Sequence, residues 1–254
     1  MKRTLTFLYG LVAYVAFFGT FVYFMGFVGN LTPVGIDAPR EAPLASAILI
    51  NLGLVAVFGI QHSIMARAAF KRWITKFISP AVERSTFVLT ATALLAFLMW
   101  QWQPVGGVLW NVENPVARGT LYAVYGFGWV LLLTASFVIN HFDLFGLRQV
   151  WLAFRGKPYT RIQFRNPWLY RQVRHPLYLG FFLGFWAAPT MTVTHFALAV
   201  GLSAYILIGV RFEERDLMTE HPEYRAYRAR VPAFVPRLVG RPATTALTPD
   251  GAEA

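Results

Sequence analysis

Long stretches of this chain carry no charge at all, and polar residues gather between them. Thr4 to Ile36, Pro43 to Gln61, Ser85 to Asn111 and Gly119 to Asn140 contain no Asp, Glu, Lys or Arg. A hydrocarbon layer about 30 Å thick takes about 20 helical residues to cross. Each stretch therefore predicts one membrane-spanning helix, at 5–28, 43–62, 85–103 and 119–140. Lys2-Arg3 ahead of the first run has the look of a secretory leader. Its apolar run is longer than the roughly 7–15 residues of a leader core, and no small-x-small cleavage site follows cleanly. It is read as a span.

A fifth uncharged stretch, Pro176 to Val210, is too long for one crossing, and Pro189-Thr190 falls where a helix would have to break. The pattern predicts a helical hairpin over 176–210. Its first arm would be short, about 18 Å at 1.5 Å per residue, and its second about 30 Å. Lipid cannot satisfy free backbone groups, so the turn is expected to be buried against other helices.

Composition agrees with the pattern. Hydrophobic residues make up 56% of the 254 and charged residues 14%, against roughly 45–50% and about 25% in soluble domains. The expected class is an all-α integral membrane protein: four transmembrane helices over 1–140, then a core over 141–238 made of a polar loop, the hairpin and C-terminal helices. Residues 239–254, small, polar and rich in Ala, Thr and Pro, predict a disordered tail. A net charge of +11 could suggest nucleic acid. The basic residues instead mark orientation: 21 of 23 fall before the first span, between the second and third, before the hairpin or after it, leaving Arg40 and Arg118 opposite. The positive-inside rule then puts both termini and all three basic segments on the cytoplasmic face of the inner membrane, with no role for nucleic acid. The chain has no cysteine, which excludes disulfides, thiolate metal sites and cysteine nucleophiles.

Chemistry-bearing side chains cluster in three places, all on that face. Asn140 to Gln149 holds His141, Asp143 and Arg148 where the fourth span ends. Tyr170 to Gly180 opens the hairpin, and Glu213 to Arg228 follows it. A hairpin brings the last two together, so Arg174 and His175 should lie beside Glu213 and Glu214. Cations facing carboxylates at an interface suit a zwitterion, with its carboxylate on Arg174 or His175 and its ammonium on a glutamate. An Arg174–Glu213 ion pair that merely holds the hairpin together explains the spacing equally well. Consecutive glutamates diverge by about 100° on a helix, so the two should do different work. Tyr224, Tyr227 and Arg228 share a helix face; they could cover a site, though packing on the membrane surface is the plainer expectation for Tyr227. His62 reads as a helix end and His195 is assigned no function. Gly126-Phe127-Gly128 lies inside a span, which excludes a phosphate loop, and five scattered histidines support no metal site.

Two of these clusters resemble a family of membrane methyltransferases. Arg174-His175-Pro176-Leu177-Tyr178-Leu179-Gly180 is similar to the R-H-P-x-Y-x-G motif of isoprenylcysteine carboxyl methyltransferase-like and phospholipid methyltransferase proteins. Glu213-Glu214, Leu217 and His221-Pro222-Glu223-Tyr224-Arg225-Ala226-Tyr227 resemble its E-E-x-x-L and H-P-x-Y-x-x-Y continuation. Within that superfamily the chain most resembles the methanethiol S-methyltransferases, through Gln61 to Arg67, Asn140 to Val150 and Gly156 to Tyr159. Where the superfamily often has G-P-Y-R, this chain reads Trp168-Leu169-Tyr170-Arg171. NnrU-like proteins share part of the pattern.

The resemblance implies S-adenosylmethionine as methyl donor, leaving as S-adenosylhomocysteine. It implies cofactor contacts from Tyr170, Arg174, His175, Tyr178, Glu213, Glu214, His221 and Tyr224. It also implies a small thiol, methanethiol, methylated directly to dimethyl sulfide. His141 or Asp143 would then accept the thiol proton, with Arg148 stabilising the anion. A prenylcysteine carboxyl or lipid acceptor, or a non-enzymatic NnrU-like role, remains open at this stage.

Overall fold

The computed structural model describes residues 1–39 and 42–236. The tail expected to be disordered, 239–254, and the basic residues Arg40, Arg237 and Arg241 lie outside the described residues. Among the described residues, five helices are long and apolar enough to cross a membrane. They are α1 (Lys2–Val28), α2 (Leu44–Ala66), α4 (Pro80–Gln101), α5 (Pro115–Ile139) and α10 (Val193–Glu220). Short helices lie between them: α3 (Ala68–Ile74), α6 (His141–Leu144), α7 (Leu147–Phe154), α8 (Trp168–Gln172) and α9 (Pro176–Trp186), with α11 (Tyr224–Arg230) last. The chain is a multi-pass helical membrane protein, as its pattern predicts.

Local chemistry sets where the helices start. Ser79 caps α4 by accepting from the Ala81 amide, and Pro80 follows at the first helical position, where a missing N–H costs nothing. Asn114 and Pro115 do the same for α5, and Thr192 caps α10 through the His195 amide at 2.9 Å.

The hairpin is present, with a first arm of only 11 residues, α9, about 17 Å long. Its turn, Ala187 to Pro189, is buried. The partner expected for that turn was another helix; the structure supplies a strand instead. β1 (Val108–Asn111) pairs antiparallel with β2 (Thr190–Thr192). The Val112 amide donates to the Pro189 carbonyl at 2.9 Å and the Trp110 indole to the Ala188 carbonyl at 3.1 Å. His195 donates from Nε2 to the Phe185 carbonyl at 2.9 Å, one of the groups left open where α9 ends. The second arm also overruns the expected boundary at 210 and continues to Glu220. Residues 211–220 contain neither Gly nor Pro, so nothing stops the helix before Pro222.

The core is aromatic. Phe21 and Phe24 of α1, Trp129 of α5 and Phe185 of α9 are buried and meet edge to face at centroid distances of 5.8–6.2 Å. α9 lies directly against α5, through glycines. A Cβ at Gly180 would sit 2.5 Å from the Gly128 carbonyl oxygen, and one at Gly128 would sit 2.7 Å from the Leu183 Cβ. The glycine that ends the R-H-P-x-Y-x-G run is thus required by backbone contact between two helices, the small-residue packing that membranes favour. Gly126 has nothing within 4 Å of where its Cβ would be. Gly180→Ala should therefore cost about 1–3 kcal/mol of stability, and Gly126→Ala almost nothing. Thermal unfolding in detergent measures both; equal midpoints for the two variants would contradict this packing.

Candidate active site

The basic ends of α1, α2, α4, α5, α9 and α10 share one end of the bundle, tied by contacts between them. Arg67 pairs with Asp216 at 3.1 Å, Arg84 donates from Nε to the Leu144 carbonyl at 2.7 Å, and Arg161 pairs with Glu220. Here α10 projects past the hairpin and carries the two glutamates to the start of α9.

As their helix positions require, the glutamates part company. Glu214 is 5% exposed and is met by four groups. Oε1 accepts from Arg174 Nε at 2.7 Å, His175 Nε2 at 2.9 Å and the Tyr224 hydroxyl at 3.4 Å, while Oε2 forms an ion pair with Arg228 Nε at 2.9 Å. Oε1 is thus fully taken up by the protein, and the Arg228 charge faces Oε2. The ion pair anticipated at Arg174–Glu213 is thus made by Glu214. Arg174 also donates from Nη1 to the carbonyls of Val231 and Arg228, and its backbone amide donates to the Pro232 carbonyl at 2.8 Å. The cluster clamps α9, α10, α11 and the segment that follows. Glu213 is exposed and, among the described residues, accepts only the Tyr178 hydroxyl, at 2.8 Å.

Glu213 lines a cavity of about 530 Å³, within the roughly 300–1,000 Å³ of small-molecule sites. Of the residues singled out in the sequence, Tyr170, Arg174, His175, Glu213, His221, Tyr224 and His141 line it, and Tyr178 and Glu214 stand behind its wall. Sequence reasoning missed Phe164 and Arg165. They belong to an irregular segment that no periodicity marks, held in place by Arg148 and Arg161. Phe164 packs on His221, Tyr224 and Tyr227 at centroid distances of 5.4–5.7 Å. Tyr227, expected to rest on the membrane surface, is instead buried, donating its hydroxyl to the Tyr170 carbonyl. Burial pushes the phenols of Tyr170 and Tyr224 well above their ordinary range, the latter with help from the Glu214 charge. Both stay protonated and can donate.

At the membrane side of the cavity, Asn140 ends α5 with φ 150°, strained for a residue with a Cβ. This kink turns His141 inward, where its ring stacks on Phe137 at 4.1 Å. His141 Nδ1 lies 2.8 Å from Ser136 Oγ, and Nε2 lies 2.8 Å from the Tyr14 hydroxyl of α1. Ser136 spends its only proton on the Leu133 carbonyl at 2.7 Å. Its oxygen must then accept from Nδ1–H, so Nε2 is the free base and Tyr14 donates to it. Burial holds the His141 pKa below the ordinary histidine value, so the ring is neutral near pH 7. No sequence signal marked Tyr14; it is a tyrosine in a span, 127 residues away.

His141 and Asp143 do not share a site. Asp143 accepts from Arg148 at 2.8 Å and from the Tyr159 hydroxyl at 3.2 Å, and it faces a second cavity across α6. Arg148 further donates to the Thr160 carbonyl at 2.9 Å, holding the irregular segment down. No cluster of metal-ligating side chains occurs among the described residues.

The comparisons with known proteins follow the same lines. A family model described as a protein of unknown function, DUF1295, matches residues 69–231. The methanethiol S-methyltransferase of Mycobacterium tuberculosis is 49% identical over 238 residues, covering 93% of this chain and 98% of its own length. That of Crocosphaera subtropica is 45% identical, over 93% of each chain. A Xenopus laevis protein named Nurim is 29% identical over 81% of this chain and 80% of its own. No solved structure matches. The fold is that of a multi-pass helical membrane protein, and the family match places it in the DUF1295 class. Within that class, the chain belongs to the methanethiol S-methyltransferase family, and as a member it is an enzyme of the methyltransferase class.

Because Glu214 neutralises the largely buried Arg174, with the half-exposed Arg228 adding less, Glu214→Gln should cost about 3 kcal/mol. Glu213→Gln should leave the thermal midpoint in detergent near that of wild type. If the two substitutions were equally mild, Glu214 would not be the clamp.

Proposed function

We propose that this chain methylates methanethiol to dimethyl sulfide, using S-adenosylmethionine bound in the 530 Å³ cavity. The observation that carries the reading is the division of labour between the glutamates. Glu214 is buried and committed to Arg174, His175 and Arg228, which leaves Glu213 as the acidic acceptor lining the cavity for a ligand ammonium. Arg165 and His221 line the same cavity as donors for a carboxylate; Arg165 makes no ion pair among the described residues, and His221 Nδ1 lies 3.6 Å from Glu223. Phe164, Tyr170, Tyr224 and Tyr227 provide the π faces that a sulfonium cation favours. Volume, charge and aromatic lining all fit that cofactor. When bound, S-adenosylmethionine supplies an electrophilic methyl group.

The chain's own residues then have two tasks. The aromatic walls exclude water and hold the thiol sulfur in line with the methyl group. The proton of the thiol leaves through Tyr14 and His141: the Tyr14 hydroxyl gives its proton to Nε2 while taking the one from sulfur. The Nδ1–H to Ser136 bond fixes the tautomer that makes this direction work. Asp143 and Arg148 act by position, holding α6 and the segment that carries Phe164 and Arg165. By the positive-inside rule the site opens to the cytoplasm, where both termini also lie, with the protein in the inner membrane.

Purified protein supplied with methanethiol and S-adenosylmethionine should form dimethyl sulfide in the headspace and S-adenosylhomocysteine in solution. Absence of both products would overturn the reading. The depressed His141 pKa means that the wild-type rate should persist through the ordinary histidine range, about pH 6.5, and fall only at lower pH, as the ring protonates. His141→Gln and Tyr14→Phe should each lose about 10²–10⁴-fold in turnover. Both should recover at high pH, where the thiol is already ionised. A loss independent of pH would contradict the relay.

A further inference from the structure

The second cavity, of about 690 Å³, takes no part in the reading above and has a chemistry of its own. It is lined by Lys71 of α3, by Ser79 and Ala81 at the start of α4, by Arg84 one turn on, and by Lys157. None of these three cations forms an ion pair among the described residues. The first turn of a 22-residue helix adds the positive end of its dipole. Two carboxylates also face the space, Glu83 and Asp143. Asp143 is matched by Arg148 at 2.8 Å, so a single acid stands against three cations. Burial, and the neighbouring Arg84 charge, pull the Lys71 pKa below its ordinary value. Like charges drawn together in a recess are stabilised by an anion between them.

The position of the recess says where that anion comes from. α3 leads directly into exposed aromatics: Trp73 is 50% and Phe77 71% exposed, with ring centroids 5.4 Å apart. Exposed aromatic rings beside basic residues at the end of a bundle are the pattern of the headgroup layer. Lys71 and Arg84 therefore sit at the depth of lipid phosphates.

We propose that this recess is an anion site, built by Lys71, Arg84, Lys157 and the start of α4, for the phosphate of an anionic phospholipid headgroup. Occupancy would brace α3 against α4 and α7, and through Asp143 and Leu144 support α6, which carries His141. The site is separate from the cofactor cavity and does not depend on the methyl-transfer reading.

The test uses the full chain purified in detergent, read by thermal unfolding. One arm titrates dihexanoyl-phosphatidylglycerol against dihexanoyl-phosphatidylcholine; the other titrates inorganic phosphate against chloride at equal ionic strength. Saturable stabilisation by phosphatidylglycerol but not phosphatidylcholine is expected, and stabilisation by inorganic phosphate alone would assign the same site to a free anion. The double variant Lys71→Met, Lys157→Gln should weaken the apparent affinity by about tenfold or more. Arg84 is kept intact because its Nε bond to Leu144 helps to hold the fold. Should the double variant unfold, Lys157→Gln alone gives the same reading with a smaller shift. The inference is overturned if neither anion shifts the wild-type midpoint, or if the variants retain wild-type affinity.

Discussion

A carboxylate buried at the edge of a membrane bundle has to be met by donors from its own protein, and Glu214 is met by four. Leaving such a charge unpaired would cost several kcal/mol, so the groups that meet it are fixed in space. Arg174 and His175 start α9, Tyr224 and Arg228 belong to α11, and Glu214 itself rides on α10. One side chain therefore sets how three helices meet, and with them the cavity wall. The arrangement also explains why two adjacent glutamates differ so sharply in exposure. One closes the structure, and its neighbour, a third of a turn away, is left to face the cavity.

That clamp works only because α9 is short. An arm of 11 residues ends deep in the bundle, where lipid offers nothing to its carbonyls. His195, Trp110 and the two-stranded β1–β2 ladder take up that role at the far end. At the near end, the glycine contacts pull α9 against α5, the helix that leads into α6 and His141. The start of α9, with Arg174 and His175, is thereby held beside the end of α5, where Asn140 and His141 follow.

Most of the fold was legible because charge is so unevenly distributed along the chain. Spans of about 20 uncharged residues leave few alternatives, and Pro189 marked the break in the hairpin. The strands were not legible: Val108 to Asn111 is four residues inside an uncharged run, too short for any alternation to show. In the site, spacing brought Arg174 and His175 to the glutamates, but it could not choose between Glu213 and Glu214. That choice depends on helix rotation, which α11 settles by presenting Tyr224 and Arg228. His141 and Asp143 looked like partners because one residue separates them. A single turn of helix after the strained Asn140 sends their side chains to opposite sides of α6. Tyr14 was invisible for a different reason: its role is made entirely by the approach of α1 to α6, and no local pattern records a contact across 127 positions.

On the proposed function, Glu214 organises the site while Glu213 serves the ligand. Calorimetric titration of S-adenosylmethionine into purified wild-type protein and the Glu213→Gln variant tests it most directly. Saturable binding to wild type is expected, with about tenfold or greater weakening in the variant, from loss of one charge-assisted contact in a protein that remains folded. Wild-type protein that binds no S-adenosylmethionine, or a Glu213→Gln variant that binds it unchanged, would contradict it.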